Sequence, residues 1–124
     1  NIELLFGEKY DYMIDACDTT RVKVELIKLC HENGIKLVSS MGTAKKLDAT
    51  KLVITTLDKT NTDPLAKKVR HELGKNKDLM KDVTVVTSTE KAMNTKNMLG
   101  SSAFVPAVAG LYITNYIIKD VTGM

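Results

Sequence analysis

The stretch that decides the fold runs Tyr10-Asp-Tyr-Met-Ile-Asp15, then Ala16-Cys-Asp-Thr-Thr20, and closes on Ile35-Lys-Leu-Val-Ser39. The first run is short and rich in aromatic and branched residues, which predicts a β-strand. Asp18, Thr19 and Thr20 follow it, and any of them can cap a helix by accepting a backbone N–H. Val22, Leu26, Leu29 and Asn33 then recur at helical spacing, with Ile27 and Cys30 widening the stripe. Asn33-Gly34 ends the helix, because Gly takes the left-handed conformation of a C-terminal cap. Ile35 to Ser39 is a second strand. Strand, helix, strand is a βαβ unit, so the two strands are expected to run parallel.

Working outward, Leu52-Val-Ile-Thr-Thr-Leu57 predicts a third strand, with Asp48-Ala-Thr as the turn before it. Asp63-Pro64 opens another helix, since Pro at the first helical position loses no hydrogen bond. Its apolar stripe is Leu65, Val69 and Leu73; Lys67, Lys68, Arg70 and Lys75 line the rest. Val83 to Thr87 predicts a fourth strand. Lys91 to Ser102 has no periodicity and is expected to be a loop. Phe104 to Val121 predicts a last helix, apolar around much of its circumference, which implies burial on two sides. The fold class expected is α/β, with a mixed sheet and flanking helices.

A chain of 124 residues suffices for one domain with a hydrophobic core. Only 5% of residues are aromatic and Trp is absent, which argues against a stacking platform for single-stranded nucleic acid. The net charge of +3 permits an anionic partner without requiring one. Cys17 and Cys30 form no staple pattern and read as free thiols of a reducing compartment, so the expected location is the cytoplasm. The opening residues lack the pattern of a signal peptide. Phe104 to Ile118 falls short of the roughly 20 apolar residues that a membrane span needs, so no membrane role is expected.

Asp15 and Asp18 stand at the carboxyl end of a strand that enters a helix, where ligands bind in open α/β sheets. A carboxylate there can hold Mg2+ together with nucleotide phosphates. Equally, Asp18 can be a helix cap and Asp15 a strand-end residue bonded to backbone. Ser39, Ser40, Gly42 and Thr43 end the next strand beside that crevice, as ligand donors or as a plain turn. Lys23 falls in the second helical turn, either reaching an anion or standing in solvent. His31 and His71 are isolated, no Cys/His cluster has zinc spacing, and no zinc is expected. Ser101 and Ser102 lack the partners of a nucleophile. Neither G-x-G-x-x-G nor G-x-x-x-x-G-K-[ST] occurs.

Taken in order, several motifs resemble one superfamily. Tyr10-Asp-Tyr-Met-Ile-Asp-Ala-Cys-Asp-Thr-Thr-Arg-Val-Lys23 resembles the D-x-x-D-[NTS]-x-x-x-[RK] segment of the ThiF/MoeB/HesA adenylating enzymes. Ile35-Lys-Leu-Val-Ser-Ser-Met-Gly-Thr43, with Lys46-Leu-Asp48, is similar to their next strand and loop. Asp58-Lys-Thr-Asn-Thr-Asp-Pro-Leu-Ala-Lys-Lys-Val-Arg70 resembles the K-T-x-x-D-P-L-A-x-x-[LV]-R signature of the tRNA threonylcarbamoyladenosine dehydratase branch. Val85 to Glu90 and Gly100 to Gly110 are similar to that branch too.

The resemblance implies a C-terminal half of a Rossmann-like ThiF/MoeB-type domain, residues 1–124, without the N-terminal nucleotide-binding βαβ units. It implies ATP and Mg2+ as cofactors, with Asp18 on the metal and Cys17, Asp18, Thr19 and Lys23 near the nucleotide. It also implies a homodimer and a tRNA substrate, for which Lys67, Lys68 and Arg70 are the candidate contacts. The reaction implied is adenylation of a carboxylate on the modified nucleoside, followed by ring closure and release of AMP. Two alternatives stand beside it: adenylation of a small sulfur-carrier protein, and a non-catalytic dimerisation module. A G-x-G-x-x-G about a hundred residues upstream would favour the enzyme readings.

Overall fold

The computed structural model describes residues 2–43, 46–91 and 104–124. It contains four strands, β1 (Tyr12–Asp15), β2 (Lys36–Ser40), β3 (Leu52–Thr56) and β4 (Thr84–Ser88). The helices are α1 (Thr20–Glu32), α2 (Pro64–Leu73), α3 (Lys77–Asp82) and α4 (Phe104–Thr122). Short 3-10 turns at Ile2–Gly7, Ala49–Lys51 and Leu57–Lys59 complete the order. Strand boundaries fall within two residues of the sequence reading, the usual scatter at element ends.

The sheet order is β1-β2-β4-β3. β1 with β2 and β2 with β4 are parallel, as the βαβ reading requires, whereas β3 runs antiparallel to β4. The carboxyl ends of β1, β2 and β4 therefore share one edge of the sheet. The period-2 alternation of each strand divides the core between two faces. Leu37 and Val85 point into a cluster with Leu26, Ile27, Val69 and Leu79 from α1, α2 and α3. Their neighbours Val38 and Val86 point the other way, onto Val105, Ala109 and Ile113 of α4.

Two expectations need correction here. The buried stripe of α1 is Lys23, Leu26, Ile27 and Cys30, turned about one residue from the expected stripe, with Val22 and Leu29 only half-buried. The two-sided burial expected of α4 is not found among the described residues. Leu111, Ile118 and Val121 are 67%, 50% and 66% exposed, because the sheet covers one side of α4 and no described residue packs on the other. The loop expected from Lys91 to Ser102 lies, beyond Lys91, outside the described residues.

Candidate functional site

At the shared carboxyl edge, β1 ends on Asp15, which is 2% exposed. One carboxylate oxygen accepts the Cys17 backbone N–H at 3.0 Å. The other accepts Lys23 Nζ at 2.9 Å and the Ser39 hydroxyl at 2.7 Å. Lys23 Nζ also donates to Ser39 Oγ at 3.2 Å and to the Ser40 carbonyl at 2.6 Å. The ammonium's three donors are thus all used, and its side chain has no solvent exposure. Lys23 is therefore neither a surface lysine nor one that reaches into the crevice. It shares the inward stripe of α1 with Ile27 and Cys30, at i+4 and i+7.

Burial alone would push the Asp15 carboxyl up. Hydrogen bonding from Cys17, the Lys23 charge and the Ser39 hydroxyl outweigh it and hold the group below its usual value of 3.8. For Cys17 the balance is opposite: burial, then the Asp15 carboxylate, raise its thiol above the ordinary range. Burial, with a smaller contribution from the Asp15 charge, pushes Cys30 up to about 11. Both cysteines are thiols at neutral pH and poor nucleophiles.

The turn that Asp15 organises presents Asp18 outward. Thr19 occupies the N-cap position of α1 and makes no side-chain cap bond. The capping role open to Asp18 in the sequence is thus not what holds it: its carboxylate is exposed and makes no hydrogen bond to any described residue. It borders a recess of about 310 Å³ lined by Ala16, Asp18, Ser40, Met41, Thr43 and the α4 residues Pro106, Gly110 and Ile113.

The opposite rim is held from below. Met41 N–H donates to the Val86 carbonyl at 2.9 Å. Gly42 N–H donates to Asp63 at 3.0 Å, and the Thr87 hydroxyl donates to the same carboxylate oxygen at 2.8 Å. The other Asp63 oxygen caps α2 through Leu65 N–H at 3.0 Å and Ala66 N–H at 3.1 Å. A Cβ on Gly42 would lie 3.2 Å from that oxygen, which leaves glycine the residue that fits without displacing it. The sequence marked Asp63 only as a helix start; its grip on the rim depends on a partner 21 positions away. Ser39 turns inward, so of the serines and threonines expected at this edge only Ser40 and Thr43 line the recess.

No protein-family model matches the chain. It is 38% identical to the Bacillus subtilis tRNA threonylcarbamoyladenosine dehydratase over 136 aligned residues, covering 95% of this chain and 53% of the relative. The crystal structure of the Escherichia coli tRNA N6-threonylcarbamoyladenosine dehydratase matches with a TM-score of 0.89 at 32% identity, covering 99% of this chain and 53% of that one. Along nearly its whole length the chain is similar to tRNA threonylcarbamoyladenosine dehydratases. The E. coli enzyme in complex with ATP matches with a TM-score of 0.79 at 29% identity, covering 100% of this chain and 54% of that one. The chain spans about half the length of the relatives it matches.

Within this dehydratase framework, the donors present test the fit of a metal. Among the described residues no group of three or more His, Cys, Asp or Glu side chains comes together. A lone, solvent-facing carboxylate such as Asp18 suits Mg2+ arriving with phosphate oxygens, since that ion keeps several waters and takes one or two protein carboxylates. Asp18 fits that role.

The basic face of α2 divides in two. Lys67 and Lys68 are exposed and line a groove of about 500 Å³ with Thr20, Pro64, His71 and Glu72. Arg70 departs from the expectation that grouped it with them: its guanidinium folds inward onto the carbonyl and hydroxyl of Thr60. His31 pairs with Asp82 at 2.9 Å on the surface, away from the recess. No described helix is long and apolar enough to cross a membrane.

Proposed function

We propose that this chain forms one side of the ATP site of a tRNA threonylcarbamoyladenosine dehydratase. In this reading the phosphate-cradling part of the site comes from the portion of the relatives that the chain does not match. The observation that carries it is the Asp18 carboxylate, exposed and bonded to no described residue, at the mouth of the recess on a turn pinned from inside by Asp15. A relative of similar fold has been crystallised with ATP.

The substrate carboxylate attacks the α-phosphorus of ATP and displaces pyrophosphate. A nucleophile of the same threonylcarbamoyl side chain then attacks the activated acyl carbon, closing a ring and expelling AMP, so one water is lost overall. Asp18 would hold Mg2+ on the nucleotide, where the ion would supply charge neutralisation as pyrophosphate leaves. Asp15 and Asp63 hold the two rims, and Pro106, Gly110 and Ile113 of α4 close the recess on one side. The exposed Lys67 and Lys68 lie beside Thr20, two residues from Asp18, and offer cations to tRNA phosphates. A second copy on the exposed face of α4, and a cytoplasmic setting, belong to the same reading.

The test takes the full-length protein, ATP and a tRNA carrying threonylcarbamoyladenosine, and follows the nucleoside by mass spectrometry. The expected result is a nucleoside lighter by one water with AMP released. Asp18→Asn should lose both while its melting temperature stays unchanged. Wild-type protein that leaves the nucleoside intact would overturn the reading.

A further inference from the structure

Lys23 adds a tie beyond the ladder: β1 and β2 already set Asp15 opposite Ser39, and the ammonium fastens the Asp15 carboxylate to the Ser40 carbonyl one residue further on. Asp15 ends β1, and its second oxygen holds Cys17 N–H, one residue before Asp18. Ser40 ends β2 and lines the recess with Met41 and Thr43. One buried ammonium grips both, through the Asp15 carboxylate and the Ser40 carbonyl at 2.6 Å, with the Ser39 hydroxyl bridging at 3.2 Å. A buried ion pair is weak evidence of stabilisation, because well-packed apolar side chains of similar volume often do as well. What such side chains lack is direction: they would not fix the Ser40 carbonyl against the Asp15 turn.

We propose that Lys23 is a positioning residue, which sets the spacing between the Asp18 turn and the Ser40–Thr43 rim and thereby the magnesium-dependent part of ATP binding. The inference rests on the ATP-site reading above. Lys23 touches neither ligand; it acts through Asp15 and the two serines. Lys23 stands one step further out than a residue bonded to a metal ligand, since it reaches Asp18 through Asp15 and the Cys17 backbone; loss of a directly bonded partner typically costs 10- to 100-fold in metal affinity, and the lower end of that range applies.

Calorimetry on the full-length protein measures ATP affinity with Mg2+ and with a chelator, and their ratio is the magnesium contribution. Lys23→Gln keeps a donor but loses the charge and the reach; the ratio should shrink by about tenfold, with tRNA affinity unchanged. Ser39→Ala removes one hydroxyl and no charge, should shrink the ratio less, and decides alone if Lys23→Gln does not fold. A merely structural role would lower the melting temperature and leave the ratio as it was, and an unchanged ratio in folded variants overturns the proposal. Wild-type protein that binds no ATP overturns the functional reading itself, and the two failures are thereby distinct.

Discussion

The carboxylate of Asp63 accepts the backbone N–H of Gly42 at 3.0 Å, tying the first turn of α2 to the loop that leaves β2. Four groups share this carboxylate: Gly42, Leu65 and Ala66 N–H and the Thr87 hydroxyl. Asp63→Ala removes a helix cap, worth typically about 1 kcal/mol, and leaves buried donors unpaired at about 1–3 kcal/mol. Urea titration should therefore find a loss of about 2–4 kcal/mol. Asp63→Asn, which still caps, should lose clearly less. Gly42→Ala should cost about 1 kcal/mol by crowding the Asp63 oxygen that caps α2. Equal stability of Asp63→Ala and wild type would dissolve this account of the rim.

Acid should act through Asp15. Its folded-state carboxyl titrates below the usual 3.8, so in that range the unfolded chain binds the extra proton. The stability it contributes is complete above about pH 5 and drains away as pH falls through 3.8 toward the folded value. Lys23→Met alone strands a buried carboxylate and should cost about 3–5 kcal/mol. Lys23→Met with Asp15→Leu should recover much of that loss and show a flatter acid limb. Denaturant midpoints measured from about pH 3 to about pH 7, a range that brackets the carboxylate titration, decide it; an equally steep limb in the double variant contradicts the assignment.

Lysine and arginine on α2 should behave differently. Lys67→Glu with Lys68→Glu in the full-length protein should weaken tRNA binding and reduce its salt slope by about 2, one for each phosphate no longer neutralised. Pyrophosphate exchange should be nearly unchanged. Arg70→Ala should do the reverse, leaving the salt slope alone while costing about 1 kcal/mol of stability through its bonds to Thr60. Filter binding across salt concentrations, beside thermal melts, separates the two. An unaltered salt slope in the double lysine variant would leave that groove as ordinary surface.

Much of the fold was legible because its signals are local. Asp63-Pro64 and Asn33-Gly34 bound their helices as caps do, and the βαβ spacing carried the parallel pairing of β1 and β2. α3 escaped notice: six residues, Lys77–Asp82, are too few for a periodicity, although Asn76 caps it by accepting Leu79 N–H. The direction of β3 was not readable either, since it depends on a partner strand some thirty residues later. Asp18 was singled out from its place after a strand, and the structure sets it on the border of the recess. Lys23 was placed near the nucleotide, but its burial was missed because a lysine on a helix is exposed by default. Its i, i+4, i+7 relation to Ile27 and Cys30 was the clue that it faced inward.

β4 is the last of the four strands to leave the ribosome, yet it lies between two that precede it. β2 and β3 never touch as ladder partners; each waits for β4, one on either side. β1, α1 and β2 can associate as soon as they are made, whereas β3 emerges with β4, its ladder partner among the described residues, still unsynthesised. Until residue 88 appears, β3 is an unpaired edge next to a half-built sheet, open to the wrong neighbour. Synthesis thus imposes an order on assembly, and the interval between Thr56 and Thr84 is when a nascent chain of this topology is most open to mispairing.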